Sequence, residues 1–185
     1  MSAQGPSPFL AEGEERLAVE DWDGAVAAFQ KAIAAAPSSA LAHSKLGVAY
    51  VHKRQWDDAH ASFSKAVQLD PRYAPAHSNL GNVYRERGRL DEAVACYQKA
   101  IAMDPDYWIA HQNLGIVYKQ QGRVGDAVRE FKTATRLSLR SGARGSRLDA
   151  PLKGTAAGRS GRMGCLGAGG MSVLLLVAMA RWPRW

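Results

Sequence analysis

At 185 residues and 46% hydrophobic content, the chain is sized for a single domain with its own core. Its formal charge of +7 is confined to one end. Met1–Leu137 carries 16 basic and 16 acidic residues, whereas Ser138 onward carries 8 basic residues against Asp149 alone, so 8 − 1 = +7. The basicity is therefore a property of the tail, and nucleic acid is not expected as a partner of the folded part. Cys96 and Cys165 form neither a metal-ligand spacing nor a disulfide framework, and no cofactor is expected.

Taken in chain order, the first helix is expected near 7–19. The N-terminal stretch lacks the apolar core of a secretory signal, which points to a cytosolic setting. A second helix is expected near 22–35, and the pair makes a weak first unit marked by Gly13, Trp22, Ala25, Phe29, Ala32 and Pro37. Ala40-Leu-Ala-His-Ser-Lys-Leu-Gly-Val-Ala-Tyr50 then opens a helix near 40–53, and Trp56-Asp-Asp-Ala one near 56–69. The opening string returns as Ala74-Pro-Ala-His-Ser-Asn-Leu-Gly-Asn-Val-Tyr84 and again as Trp108-Ile-Ala-His-Gln-Asn-Leu-Gly-Ile-Val-Tyr118. Each recurrence is followed by a second helix, giving helices near 74–87, 90–103, 108–121 and 124–138. The period is 34 residues throughout.

Each recurring column has a physical reason. Leucine and tyrosine four apart (Leu46 and Tyr50, Leu80 and Tyr84, Leu114 and Tyr118) form the inward stripe of the first helix. A mid-helix glycine costs about 1 kcal/mol relative to alanine, so Gly47, Gly81 and Gly115 imply close helix contact. Ala25, Ala59, Ala93 and Ala127 are expected to provide the small opposing surface. Phe29, Phe63, Tyr97 and Phe131 are expected to present the second helix to the next unit. Carboxylates at Asp57-Asp58 and Asp91-Glu92 suit a helix start, and Asp70-Pro71 and Asp104-Pro105 end the helices before them.

These columns resemble the tetratricopeptide repeat over about residues 6–141, with the first unit departing at Glu12 and Arg16, where leucine and tyrosine are expected. The resemblance implies an all-α fold, a right-handed αα superhelix of about four helix pairs: 6–39, 40–73, 74–107 and 108–141. It also implies a concave groove lined by the first helix of each pair, holding a protein or peptide partner. The expected groove residues are Lys45, Asn79, Asn82, Arg85, Gln112, Asn113 and Lys119. Asn79 and Asn113 share a column. A side-chain amide offers both donor and acceptor, so such a ladder can hold an extended backbone whatever its sequence. The Ala-His-Ser-Asn-Leu-Gly string is most similar to repeats attached to O-linked N-acetylglucosamine transferases, which leaves an accessory role in a glycosyltransferase system open. The family's carboxylate clamp does not fit, because Ser78 stands where a lysine is needed.

His43, His77 and His111 recur every 34 residues. Successive units lie on the order of 10 Å apart, too far for a shared metal with ligands at about 2 Å, so the imidazoles are read as packing groups. With the repeats occupying most of the chain and no nucleophile–base pair in sight, no enzymatic activity is expected. Residues 142–162 read as a basic Gly/Ser/Arg-rich disordered segment. Residues 163–185 form an apolar tail with three readings: a membrane anchor that leaves the repeats on the cytosolic face, a cover for the uncapped last unit, or a segment without a role. Self-association through that last unit is the alternative to partner binding.

Overall fold

A computed structural model describes residues 8–145, which form eight α-helices. These are α1 (Pro8–Ala18), α2 (Trp22–Ala35), α3 (Ala40–His52), α4 (Trp56–Leu69), α5 (Ala74–Glu86), α6 (Leu90–Met103), α7 (Trp108–Gln120) and α8 (Val124–Gly145). Each odd-numbered helix pairs with the helix that follows it, and each even-numbered helix packs on the first helix of the next pair. The odd-numbered helices also touch one another, α3 with α5 and α5 with α7, which places them on the inner curve of the stack.

The close approach at the glycines is real, but its partner differs from expectation. A Cβ at Gly13 would lie 2.3 Å from the Phe29 ring, one at Gly47 2.7 Å from Phe63, one at Gly81 2.7 Å from Tyr97 and one at Gly115 2.8 Å from Phe131. Each aromatic thus lies across the glycine of its own repeat, while also reaching the next: Phe63 clusters with Val83, and Tyr97 with Leu114. Three of the four alanines also serve the seam to the following repeat, while Ala127 clusters with Leu114 and Tyr118 of its own. Ala25 packs with Leu46 and Ala49, Ala59 with Val83, and Ala93 with Leu114 and Val117. Alanine there lets the next helix approach without leaving a void.

The turn from first to second helix bends through a left-handed residue in every repeat: Glu20 (φ 60°), Arg54 (φ 58°), Gly88 (φ 72°) and Gly122 (φ 75°). Only the last two repeats place glycine, the residue that adopts this conformation without a Cβ penalty, at that position.

A polar ladder ties successive repeats together. The residue that caps each first helix bonds the first-turn carboxylate of the preceding second helix: Lys53 to Asp23 at 2.5 Å, Arg87 to Asp57, and Gln121 to Asp91 at 2.8 Å. Asp57 and Asp91 therefore do more than complement the macrodipole. These contacts are exposed, so each is worth only about 0.2–1 kcal/mol. A double-mutant cycle on Asp57→Ala and Arg87→Ala is expected to give coupling in that range, shrinking in high salt; chemical denaturation of the four species measures it.

The eighth helix runs to Gly145, beyond the expected end near 138, so the start of the 142–162 segment is helical. Earlier second helices end before Pro37, Pro71 and Pro105, but Leu139 occupies this column in the last repeat and keeps its backbone N–H. Arg140, on the added turn, pairs with Asp106 at 2.6 Å. The rest of the basic segment and the apolar tail lie outside the described residues. Among those described, no helix is long and apolar enough to cross a membrane.

Candidate binding groove

The inner row of helices brings most of the expected residues to one face. Lys45 on α3 reaches back to Glu14 on α1 at 2.6 Å, showing that this column meets its neighbour on the preceding first helix. Asn79 on α5 and Asn113 on α7 occupy this same column, one and two periods on. Asn79 and Asn113 are half-buried, and no described residue hydrogen-bonds either side chain. Lys119 is exposed on α7. Arg85 pairs with Glu86 at 2.9 Å and remains half-buried.

Asn82 is committed on one side. Its Oδ1 accepts a hydrogen bond from the Tyr97 hydroxyl at 2.8 Å. Burial pushes the Tyr97 phenol far up from its ordinary range, with Arg85 opposing weakly, so the hydroxyl keeps its proton. The Asn82 amide nitrogen is left as a further donor that no described residue engages.

Gln112 stands elsewhere. The residues one and two periods earlier, Ser78 and Ser44, are 1% and 3% exposed, because the next repeat covers this column. Gln112 is exposed and borders a small cleft with Trp108 and Phe131 at the end of the stack. Nothing in the residue pattern signals this, since a serine one residue before the Lys/Asn column looks like helix surface. The apolar members of the inner face are Leu41 and Ile109, 43% and 36% exposed, with half-buried Pro75 between them in the same column.

The recurring histidines bind the loops. His43, His77 and His111 direct Nε2 to the carbonyls of Pro37, Pro71 and Pro105 at 3.1, 2.9 and 3.3 Å. A carbonyl only accepts, so Nε2 carries the proton in each. The imidazole thus satisfies a carbonyl freed by the helix-ending proline. His111 adds a contact from Nδ1 to Glu130 at 2.7 Å. His60, which the sequence reading passed over, meets the Tyr84 hydroxyl at 3.1 Å; burial and then Arg87 and Arg89 push its pKa down. Cys96 is buried, which raises its thiol pKa. Among the described residues no group of three or more His, Cys, Asp or Glu side chains could hold a metal ion.

Helix pairs in a stack, an inner row with a polar ladder and proline-ended second helices define a repeat scaffold. Tetratricopeptide-repeat models match residues 10–74, 53–100 and 81–122, so the chain carries tetratricopeptide repeats. The match identifies the repeat; the likeness to transferase repeats rests on the Ala-His-Ser-Asn-Leu-Gly string alone. No curated protein matches the chain significantly.

Among solved structures, a crystal structure of MamA is 27% identical over 73% of this chain and 79% of its own, with a TM-score of 0.64. MamA from residue 41 onward of Desulfovibrio magneticus RS-1 is 25% identical over 72% and 76%, with a TM-score of 0.62. The first tetratricopeptide domain of Spaghetti (RPAP3), bound to an HSP90 peptide, is 20% identical over 66% and 97%, with a TM-score of 0.60. This last likeness is one of fold alone.

Proposed function

We propose that the chain is a non-catalytic adaptor that holds an extended segment of a partner protein against the inner face of α3, α5 and α7. The observation that carries this reading is the pair Asn79 and Asn113. They share a column one period apart on adjoining inner helices, with no described residue engaging their amides. The remaining amide donor of Asn82 adds a third contact, and Leu41, Pro75 and Ile109 offer an apolar strip for the partner's side chains. Backbone contact through amides favours tolerance of partner sequence, while Lys119 and Arg85 add a preference for carboxylates.

Arrays of extended peptides probed with the full chain test the reading. Asn79→Ala with Asn113→Ala is expected to weaken binding by roughly tenfold or more, the loss of about two hydrogen bonds at about 1 kcal/mol each. Helicity is expected to stay unchanged, with the melting temperature steady or slightly raised, since alanine is the better helix former. A cytosolic setting goes with this proposal, and an anchoring role for residues 163–185 is part of the same question.

A further inference from the structure

The outer face of α8 differs from that of every earlier second helix. Phe29, Phe63 and Tyr97 are at most 1% exposed beneath the following repeat, but Val128 and Leu139 are 44% and 70% exposed and Phe131 is partly so. With Thr135, Lys132 and Arg136 they line a shallow apolar groove of about 520 Å³. We propose that this groove is a second docking surface and that its occupant is an acidic amphipathic helix of a partner protein.

The shape follows from the internal seams. At each of them the corresponding face of a second helix receives a first helix: Val94, Tyr97 and Ile101 of α6 pack with Leu114, Val117 and Tyr118 of α7. The charge follows from what changes at the end. Earlier seams offer a carboxylate (Asp23, Asp57 or Asp91) to a donor on the incoming helix, but in α8 this column is Gly125. The positions of Lys132 and Arg136 are Gln98 and Ala102 in α6, Ser64 and Gln68 in α4, and Gln30 and Ala34 in α2, all uncharged.

Position 132 also addresses the incoming helix directly, because Gln98, one period earlier, donates to the Tyr118 hydroxyl at 3.4 Å. Neither Lys132 nor Arg136 makes an ion pair with a described residue, whereas Arg129 and Arg140 are paired with Asp126 and Asp106. The terminal seam thus lacks the acid of the internal ones and adds two cations at positions they leave uncharged, and carboxylates on the docked helix complement them.

Charge also decides against two other occupants. The chain from 146 to 185 carries six basic residues and one acid, so it repels this face. The first helix of a second copy, docked in the internal register, would bury Glu12 and Glu15, in the Leu114 and Val117 columns, against the apolar groove and set Arg16 against Lys132.

The test uses the full chain and a fluorescent synthetic peptide of about five turns, with leucines at helical spacing and glutamates beside them. A second peptide has lysine for every glutamate. Anisotropy titration is expected to show the acidic peptide binding at least tenfold tighter. Lys132→Gln with Arg136→Ala, which installs the residues of α6, is expected to lower that affinity about tenfold with an unchanged circular-dichroism spectrum. Asn79→Ala with Asn113→Ala is expected to leave it intact, separating this surface from the inner groove. Equal affinity for both peptides, or full affinity in the Lys132/Arg136 variant, overturns the proposal. So does tighter binding to phosphatidylserine vesicles than to the peptide that the same variant abolishes, or a sedimentation mass that rises with concentration while the peptide fails to bind.

Discussion

Tyr97→Ala is expected to destabilise the stack by roughly 3–5 kcal/mol, the loss typical of removing a fully buried aromatic side chain. The ring is inaccessible to solvent, lies across Gly81 and joins Ala93, Leu114 and Val117 in one cluster. Its removal therefore opens a void both inside the third repeat and at the seam to the fourth. Tyr97→Phe keeps the ring and loses only the bond to Asn82, a cost of about 1 kcal/mol. Phe131→Ala provides an internal control. Among the described residues no further repeat follows α8, and this column is partly exposed there, so its loss is expected to be about half that of Tyr97. Denaturant unfolding of the three variants gives the comparison, and equal losses at 97 and 131 would contradict the seam described here.

Gly47→Val carries the second largest effect. Its Cβ would stand 2.7, 2.8 and 2.9 Å from three carbons of the Phe63 ring, and that ring is 1% exposed. Neither side can yield without disturbing the seam to Val83. Overpacking of this kind costs about 1–3 kcal/mol, and valine adds two methyl groups in the same place, so the upper end is expected. In Gly47→Ala the gain of about 1 kcal/mol in helix propensity offsets part of the strain, giving a smaller net loss. Thermal melting of the two variants reads the difference. Stabilisation by valine would show that the helices are further apart than the Gly47–Phe63 contact requires.

Much of this architecture is visible in the residues because the fold repeats itself. Leu46, Leu80 and Leu114, or Pro37, Pro71 and Pro105, announce their roles by recurring every 34 positions. What stayed hidden is what periodicity of residue type does not encode. The ladder between repeats escaped notice because its donors are chemically different, Lys53, Arg87 and Gln121, and sit at helix ends rather than in the patterned core. The burial of Ser44 and Ser78 depends on the neighbouring unit and not on their own helix, so Gln112 looked equivalent to residues that belong to another surface. The length of α8 turned on a missing proline, and Arg140 on the added turn pairs with Asp106. The inner face itself was legible as a location. That Lys45 is tied to Glu14 and Asn82 to Tyr97 emerged only once the helices were placed together.

The two ends of the stack also differ in character. Glu12, Glu15 and Arg16 occupy the leucine-to-tyrosine stripe of α1 and stand exposed or half-exposed at the N-terminal end, a polar cover suited to the first unit of a repeat array. Val128 and Leu139 give the C-terminal end the opposite quality. On the two proposals made above, the inner face and the C-terminal end would engage separate partners, and the occupancy of either need not depend on the other.

The most direct test of the central claim is the affinity of the full chain for extended peptides before and after Asn79→Ala with Asn113→Ala. A loss of roughly tenfold or more with unchanged helicity is the expected outcome. Undiminished binding by the double variant would contradict an amide-lined groove as the place where this scaffold holds its partner.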